Sequence, residues 1–406
     1  MKIVRIVTRM NIGGPSTQVT LLTNRLDRAR FSTSLLVGRP HRGEGDRTPW
    51  VQNGPAKVIR IDSLQRGIHP VRDLTSLIRI FRILCKERPE LIHTHMAKAG
   101  ALGRMAGWLY NLKRANRSAG KRAILVHTFH GHVLKGYFSM WTSWLLTLME
   151  RWLAQRTDCL VAVSPSVRNS LLERKIGRGE QWQVVPLGLE LSALHEMDLP
   201  NGALPMRCGL VGRLVPIKNP SLFLSAVEQV LRNHSERLLQ AVIIGDGPLR
   251  PRLEKEVRTR HLEGAVAFTG WRTDLRACYG GLDIVCLTSW NEGTPLSLIE
   301  AMAAGRVAVA SDVGGVRDLL GPLQEGPAEV PSGHFRVCSR GILFRGGDAR
   351  GLAAALEALA REPALRRTLA EAGRSYALAQ FSHRRLVEEV SFLYERLNRE
   401  IRKKTS

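Results

Sequence analysis

Two glutamates, Glu292 and Glu300, follow an apolar run, Asp283–Leu287, that is typical of a buried strand. In open α/β sheets, ligands bind beyond the carboxyl end of such a strand, where the chain turns into a helix. A helix that opens at Thr294 to Ser297 would point unpaired N–H groups at a phosphate. Carboxylates repel phosphate, so the two glutamates suit sugar hydroxyls instead. Their position therefore indicates a sugar-nucleotide site.

Two cations and two glycine turns lie at other predicted strand ends in the same half of the chain. Arg213 and Lys218 follow the apolar run Met206–Val211. Fixed cations suit a diphosphate because they stabilise the negative charge that develops on a phosphate leaving group. The glycine turns at 245–248 and 269–272 close the next two strands. Each feature alone is common on protein surfaces, but together at strand ends they indicate one ligand site.

The first half of the chain has its own candidate for a phosphate loop. Gly13, Gly14 and Pro15 stand between a predicted strand and a predicted helix. Glycines permit close approach of an anion to the backbone, and the helix offers its N-terminus. An ordinary turn explains the same residues equally well. A full GxGxxG is absent from this loop, which disfavours a nicotinamide or flavin cofactor.

Histidines close two further predicted strands, at positions 93, 95, 127, 130 and 132. Their spacings match no zinc finger and no HExxH pattern, and no cysteine or acid stands close in sequence, so no metal is predicted. A neutral histidine at a strand end can hydrogen-bond a substrate hydroxyl or transfer a proton. His130 is the first candidate for that role.

Strands alternate with helices along the whole chain, which predicts an α/β fold with parallel sheets and helices on both faces. The predicted strands are Lys2–Val7, Ser34–Val37, Lys57–Ile61, Leu91–Thr94, Ile124–Thr128, Cys159–Val163, Gln183–Val185, Met206–Val211, Gln240–Gly245, Val266–Thr269, Asp283–Leu287, Arg306–Ala310 and Gly341–Phe344. The predicted helices include Asp73–Lys86, Ser221–Arg232, Arg250–Arg260, Leu298–Ala304 and Ala349–Ala360. A segment rich in proline and glycine, 186–205, is the predicted hinge, and 321–334 is a predicted exposed loop.

Composition limits the classes of protein. A chain of 406 residues predicts two or three domains at ~100–200 residues each. Its net charge is +24, from 60 basic and 36 acidic residues. No DNA- or RNA-binding signature accompanies the charge, so no nucleic-acid partner is expected. An anionic membrane, an anionic substrate and an arginine-rich composition bias remain open as its cause. Six scattered cysteines and no signal peptide at the first residue predict a cytoplasmic protein with reduced thiols.

A stretch rich in tryptophan and leucine, 137–152, lies downstream of a group of basic residues. Its uncharged run is shorter than the ~18–20 residues that span a bilayer, so it is not a transmembrane helix. An interfacial helix on the inner face of the cell membrane and a plain core helix both fit the pattern.

Motifs over nearly the whole chain resemble those of GT-B-fold retaining glycosyltransferases of family 4, also called group 1. The matching pieces are Gly-Gly-Pro at 13–15, Thr-Phe-His-Gly at 128–131, Val-Gly-Arg-Leu at 211–214 with Lys218, Gly-Asp-Gly-Pro at 245–248, Phe-Thr-Gly-Trp at 268–271 and Glu-x7-Glu from 292 to 300. The resemblance implies two Rossmann-like βαβ domains facing a central cleft, with a C-terminal helix that crosses back to the first domain. The corresponding boundaries are 1–190, 191–380 and 381–406.

The resemblance also implies a role for each motif. Arg213 and Lys218 would hold the diphosphate of the donor, assisted by the backbone around Thr294, Pro295 and Leu296. The ribose hydroxyls would fall to Glu300 and the hydroxyls of the donor sugar to Glu292.

Further contacts follow from the same likeness. His130 would lie near the transferred sugar, and Gly14 would let the first domain approach the phosphates. Gly245 belongs to the donor site, while Gly270 and Trp271 are candidate contacts to the base. Neither a metal nor another cofactor is expected.

The chemistry implied is glycosyl transfer with retention, in which the leaving phosphate helps to remove the acceptor proton. A UDP-sugar is the expected donor and a lipid-linked or envelope glycan the expected acceptor. Two alternatives stay open: a GT-B-fold UDP-N-acetylglucosamine 2-epimerase, which needs no sugar acceptor, and a polyanion-binding protein, which would show a steep salt dependence without binding sugar nucleotides.

Overall fold

The computed structural model describes residues 1–11, 13–40, 48–52, 54, 56–115, 122–131, 140–234, 238–325 and 329–404, without the side chains of 140, 141 and 402–404. The chain divides into two compact units. The first comprises Met1–Leu189 with His383–Ser406, and the second comprises Glu190–Ser382.

The first unit contains a seven-stranded sheet in which every described pairing is parallel. Its strands are β1 (Lys2–Val7), β2 (Ser32–Gly38), β3 (Lys57–Ile61), β4 (Leu91–His95), β5 (Ile124–Phe129), β6 (Cys159–Ala162) and β7 (Trp182–Val184). They lie in the order β3-β2-β1-β4-β5-β6-β7. Strands β1, β4 and β5 are buried along almost their whole length, because both faces of a parallel sheet are covered, although β4 and β5 carry histidines.

Helices cover both faces of this sheet. They are α1 (Gly14–Arg25), α2 (Thr48–Gln52), α3 (Pro70–Glu87), α4 (Ala97–Ala115), α5 (Met140–Ala154), α6 (Pro165–Glu173) and, from the end of the chain, α15 (His383–Lys404). The start predicted for α3, Asp73, was three residues late. His69 caps this helix by accepting from the Arg72 N–H, and Pro70 occupies its first turn, where no N–H is required.

The last helix, α15, belongs to the first unit. Leu386, Val390, Leu393 and Leu397 lie at helical spacing on one face and join the same buried core as Ile3 of β1. This packing agrees with the expectation that the chain ends on the first domain.

The second unit contains another seven-stranded sheet. Its strands are β8 (Met206–Val211), β9 (Leu239–Ile244), β10 (Val266–Gly270), β11 (Ile284–Leu287), β12 (Val307–Ser311), β13 (Phe335–Cys338) and β14 (Gly341–Phe344). They lie in the order β10-β9-β8-β11-β12-β14-β13, and only β13 pairs antiparallel in the described sheet. The sequence did not predict β13, a short edge strand next to the predicted loop at 321–334.

The helices of the second unit alternate with these strands. They are α7 (Ser192–His195), α8 (Pro220–Asn233), α9 (Arg250–Thr259), α10 (Leu275–Tyr279), α11 (Leu296–Ala303), α12 (Val316–Leu320), α13 (Ala349–Arg361) and α14 (Pro363–Phe381). Among the described residues, no helix in either unit combines the length and the apolar content that a bilayer crossing requires.

Among the parallel strands of each sheet, the order reverses between β1 and β4 in the first unit and between β8 and β11 in the second. In open α/β sheets, the crevice beyond the carboxyl ends of the strands at such a reversal is where ligands bind. We therefore expect a ligand site at the carboxyl ends of these four strands.

Candidate functional site

A narrow crevice lies at the carboxyl ends of β8 and β11. Gly212, Arg213 and Lys218 line it from the β8 side, and Thr288 and Ser289 line it from the β11 side. The two cations predicted to bind phosphate are thus on the same crevice, at the reversal of strand order.

Glycines hold the neighbouring strand ends close together. A Cβ on Gly245 would lie 1.9 Å from the Gly212 carbonyl oxygen, and the φ of Gly245 is +139°. The Gly245 N–H donates to the Gly270 carbonyl at 2.9 Å. Only glycine permits this approach, so Gly245 shapes the site through its backbone.

Lys218 and Glu292 form an ion pair. The Lys218 ammonium lies 2.5 Å from Oε1 of Glu292, and the Ser289 hydroxyl donates to the same oxygen at 2.6 Å. Both charged side chains are largely withdrawn from solvent. The cation predicted for phosphate and the carboxylate predicted for a sugar are therefore direct partners, a pairing that their separation of 74 residues could not reveal.

Backbone contacts place that pair. Lys218 ends a short 3₁₀ turn, Pro216–Lys218, and its carbonyl accepts from the Thr288 hydroxyl at 2.8 Å. The Trp290 N–H donates to the Ile217 carbonyl at 2.9 Å. The loop after β8 is thus fixed to the loop after β11.

Glu300 lies within α11 and accepts a hydrogen bond at Oε2 from the Tyr279 hydroxyl, at 2.7 Å. Tyr279 is fully buried, and burial together with the negative charge of Glu300 raises the pKa of its phenol well above the ordinary value. Tyr279 stays a neutral donor that orients the carboxylate. Sequence reasoning missed it, because one tyrosine at the end of a short helix carries no local signal.

The helix after β11 begins at Leu296, within the predicted opening 294–297 and two residues before the predicted helical stretch Leu298–Ala304. Pro295 has extended dihedrals and precedes the first helical turn. The hydroxyl of Thr294 is buried and has no hydrogen-bond partner within the described part of the chain. It is thus a polar group at the helix entrance that a ligand oxygen would satisfy.

The two predicted base contacts lie at the end of β10, where Gly270 is the last residue of the strand and Trp271 follows it. Gly270 has a φ of +70°, in the left-handed region that favours glycine. The indole of Trp271 is 53% exposed.

In the first unit, Gly14 opens α1 and Gly13 precedes it without a side chain to cap the helix. The preceding residue, 12, lies outside the described residues. The glycine loop follows β1, beside the reversal of strand order between β1 and β4.

His93 belongs to a buried hydrogen-bond chain. Its Nδ1 lies 2.6 Å from the Tyr394 hydroxyl and its Nε2 lies 2.7 Å from the Thr128 hydroxyl. Arg5 donates to Tyr394 and has no acceptor to offer, so the phenol proton points to His93. His93 then carries its own proton on Nε2.

His95 and His130 meet at the adjacent ends of β4 and β5. Nδ1 of His95 lies 3.1 Å from Nε2 of His130. The other nitrogens, Nε2 of His95 and Nδ1 of His130, are buried and unpaired among the described residues. His127 is held separately by the hydroxyl of Thr94, at 2.8 Å, and residue 132 lies outside the described residues.

These four histidines are neutral at pH 7. Burial, aided by neighbouring cationic groups, lowers the pKa of His93, His95 and His127 well below the ordinary value. Burial alone lowers the pKa of His130 to about 3. No group of histidine, cysteine and acidic side chains suited to a metal occurs within the described ranges.

We expect acid to destabilise the chain through this cluster. The unfolded chain binds protons below pH ~6.5 while the native histidines do not, so the free energy of unfolding falls by up to ~1.4 kcal/mol per pH unit for each histidine. This stability is complete above that pH and is lost as the pH falls toward about 3, where His130 titrates. Urea unfolding between about pH 8 and 5 measures the slope.

His130→Asn should reduce that slope by the contribution of one histidine. His261→Asn is the matched control, since His261 is exposed and its left-handed backbone suits asparagine. Equal slopes for wild type and His130→Asn would contradict the expectation.

Comparison with known proteins agrees with the fold and the motifs. A glycosyl transferase 4-like domain model matches residues 13–188, and a glycosyl transferases group 1 model matches residues 205–362. The chain is 28% identical over 269 residues to the UDP-Gal:alpha-D-GlcNAc-diphosphoundecaprenol alpha-1,3-galactosyltransferase of Escherichia coli, covering 64% of this chain and 67% of that protein. It is 25% identical to the putative glycosyltransferase EpsD of Bacillus subtilis, covering 84% of this chain and 87% of that one.

Solved structures show the same architecture. Alr3699/HepE of Anabaena, crystallised with UDP, superposes with a TM-score of 0.72 at 20% identity, covering 97% of this chain and all of that one. The two family models together match most of the chain, so this protein belongs to the glycosyltransferases with a GT-B fold. The predicted family and fold are confirmed, and retention of configuration stays a prediction. The roles of the individual site residues stay predictions.

Proposed function

We propose that the enzyme transfers a hexose from a UDP-sugar to a lipid-linked or cell-envelope glycan, with retention of anomeric configuration. The observation that carries this is the crevice at the reversal between β8 and β11. Arg213 and Lys218 line it, Glu292 pairs with Lys218, and Glu300 follows on α11. Cations beside carboxylates match a ligand that joins a diphosphate to sugars.

The donor assignment draws on charge and on the relatives. The Escherichia coli relative is named for UDP-galactose, and the Anabaena structure contains UDP. Lys218 has three N–H donors, so it can contact phosphate while it keeps its bond to Glu292. Glu292 receives Ser289 and Lys218 at one oxygen, which leaves the other oxygen unengaged by these two groups for a sugar hydroxyl.

In the proposed reaction, the bond between the anomeric carbon and the UDP oxygen breaks. The acceptor oxygen forms its bond to the same face of the sugar, and its proton passes to the departing phosphate. Arg213 and Lys218 stabilise the negative charge that develops on that phosphate. Stabilisation of developing charge by fixed groups is usually the largest single contribution to catalysis. His130, neutral at pH 7, hydrogen-bonds the transferred sugar. No metal or other cofactor takes part in this scheme.

We expect UDP-hexoses, and not GDP- or ADP-hexoses, to stabilise the enzyme against heat. A ligand at about 100 times its dissociation constant adds ~2.7 kcal/mol to the free energy of unfolding. A thermal-shift panel measures this, with the free hexoses as controls.

With the preferred donor and an undecaprenyl-diphosphate-linked acceptor, NMR coupling constants should show that donor and product share one anomeric configuration, and an inverted product would refute retention.

Removing the charges of the site should abolish most of the activity. We expect Glu300→Ala and Lys218→Ala each to lower transfer about 100-fold or more, the scale lost with one preorganised contact. Glu371→Ala and Lys255→Ala are matched controls, because both residues lie exposed on helices of the same unit. Radiolabel transfer from the donor measures the effect. Near-normal activity of both site variants would exclude this crevice as the donor site.

The acceptor assignment rests on an exposed apolar face of the first unit. Helices α3, α4 and α5 pack side by side. On α3 and its approach, Ile68, Val71, Leu74 and Ile78 are between 41% and 77% exposed. On α5, Trp144, Leu145 and Leu148 are likewise exposed. Several large apolar side chains exposed on one helix mark a candidate contact surface for a partner or a membrane.

Charge on this face favours an anionic bilayer as that partner. The exposed side of α3 carries Arg72, Arg79, Arg82 and Lys86 beside its apolar residues. Its two acids are both engaged elsewhere, Asp73 with Lys98 at 2.6 Å and the buried Glu87 with Lys57 at 2.6 Å. Apolar residues flanked by cations suit the headgroup region of an anionic membrane. Such a contact would hold the first unit at the surface in which a lipid-linked acceptor resides.

We expect the chain to co-sediment with phosphatidylglycerol vesicles and much less with phosphatidylcholine vesicles. Replacing Trp144 and Leu145 together by serine should weaken binding about tenfold or more, since each buried apolar side chain contributes ~1.5–3 kcal/mol. Val71 and Leu74 replaced together by serine should act likewise. Trp50→Ser is the matched control, because Trp50 is 58% exposed on α2, which packs against α1 instead. Equal co-sedimentation of all variants would remove the membrane contact.

A further inference from the structure

The contact between His95 and His130 fixes which atom of His130 can reach a ligand. Nε2 of His130 is occupied by Nδ1 of His95, at 3.1 Å. The ring centroids are 5.3 Å apart. Because both imidazoles are neutral, one N–H lies between them, whichever ring supplies it. Only Nδ1 of His130 remains to meet a substrate.

The two tautomers are coupled through that shared contact. If His95 donates, the proton of His130 must sit on Nδ1, which is then a donor. If His130 donates, its Nδ1 is a bare acceptor and His95 carries a proton on Nε2. The protonation of one ring therefore decides the hydrogen-bonding role of the other.

The surroundings of His95 favour the first arrangement. Each arrangement leaves one outer N–H, on Nε2 of His95 or on Nδ1 of His130, and both nitrogens are buried and unpaired among the described residues. His95 is completely buried, whereas His130 is partly exposed. Only an N–H on His130 can therefore be satisfied by a ligand, and an N–H left unpaired on His95 is costly. Arg5, a buried cation, contributes positive potential to the cluster, which favours a bare lone pair over an N–H. His95 should thus hold its proton on Nδ1.

The side chain of His95 is held in place by the packing around it. It is completely buried, and the His93 ring lies against it with centroids 4.1 Å apart. His93 is itself anchored by Tyr394 of α15 and by Thr128. His95 can therefore act on a ligand only through His130.

We propose that His95 is a positioning residue that holds His130 in the Nδ1–H tautomer and thereby makes it a hydrogen-bond donor to a hydroxyl oxygen of the transferred sugar. The inference rests on the proposed function for the identity of that ligand. The tautomer and its dependence on His95 rest on the geometry of the first unit alone.

Three substitutions separate the hydrogen bond from the ring. Asparagine carries its amide where His95 has Nδ1, glutamine carries its amide where His95 has Nε2, and phenylalanine keeps the ring without either nitrogen. We expect His95→Asn to retain kcat within about threefold. His95→Gln and His95→Phe should lower kcat about tenfold or more with little change in the donor KM, because one orienting bond is lost.

Nitrogen NMR of the ¹⁵N-histidine-labelled full chain reads the tautomer directly. Wild type and His95→Asn should show His130 protonated on Nδ1, while His95→Phe should shift it toward Nε2. Melting temperatures and circular dichroism check that each variant folds.

A wild-type His130 protonated on Nε2 would overturn the inference, as would a tautomer unchanged in His95→Phe. Equal kcat for the Asn and Gln variants would also overturn it. If the wild-type enzyme transferred no sugar from any donor, the proposed function would fail while the tautomer measurement still decided the role of His95.

Discussion

The parallel pairing of β8 with β11 is the constraint on which the second-unit site depends. In a parallel sheet all carboxyl ends point to one edge, and a reversal of strand order leaves a gap in the covering helices there. The loops that carry Arg213, Lys218 and Glu292 leave the sheet at that gap. The sheet itself thus concentrates charged side chains that are far apart in sequence.

Within that edge, close backbone packing and charge compensation act together. Gly245 lets two loops approach until a Cβ would collide with the Gly212 carbonyl. The ammonium of Lys218 is compensated by Glu292, which limits the cost of holding a cation away from water. The carboxylate of Glu300 is oriented by a hydrogen bond from the Tyr279 hydroxyl. These contacts fix the charged groups of the candidate site without a ligand, which is the arrangement that electrostatic preorganisation describes.

The first unit buries polar histidine rings. A buried charge is expensive unless it is paired, so burial keeps the four histidines neutral. Neutral imidazoles must then satisfy one another and nearby hydroxyls, and Tyr394 of the last helix takes part in this network. The C-terminal helix is consequently part of the histidine cluster and not only of the apolar core.

By itself, the sequence determined the α/β class, the bounds of most strands to within one or two residues, and the strand-end motifs that define the family. Those features are local, because apolar runs, glycine turns and helix caps act over a few residues. Only the tertiary structure decided that Lys218 pairs with Glu292, that Tyr279 holds Glu300, and that His95 meets His130. Each of these contacts joins elements distant along the chain, and the strand order that brings them together is not written in any single segment.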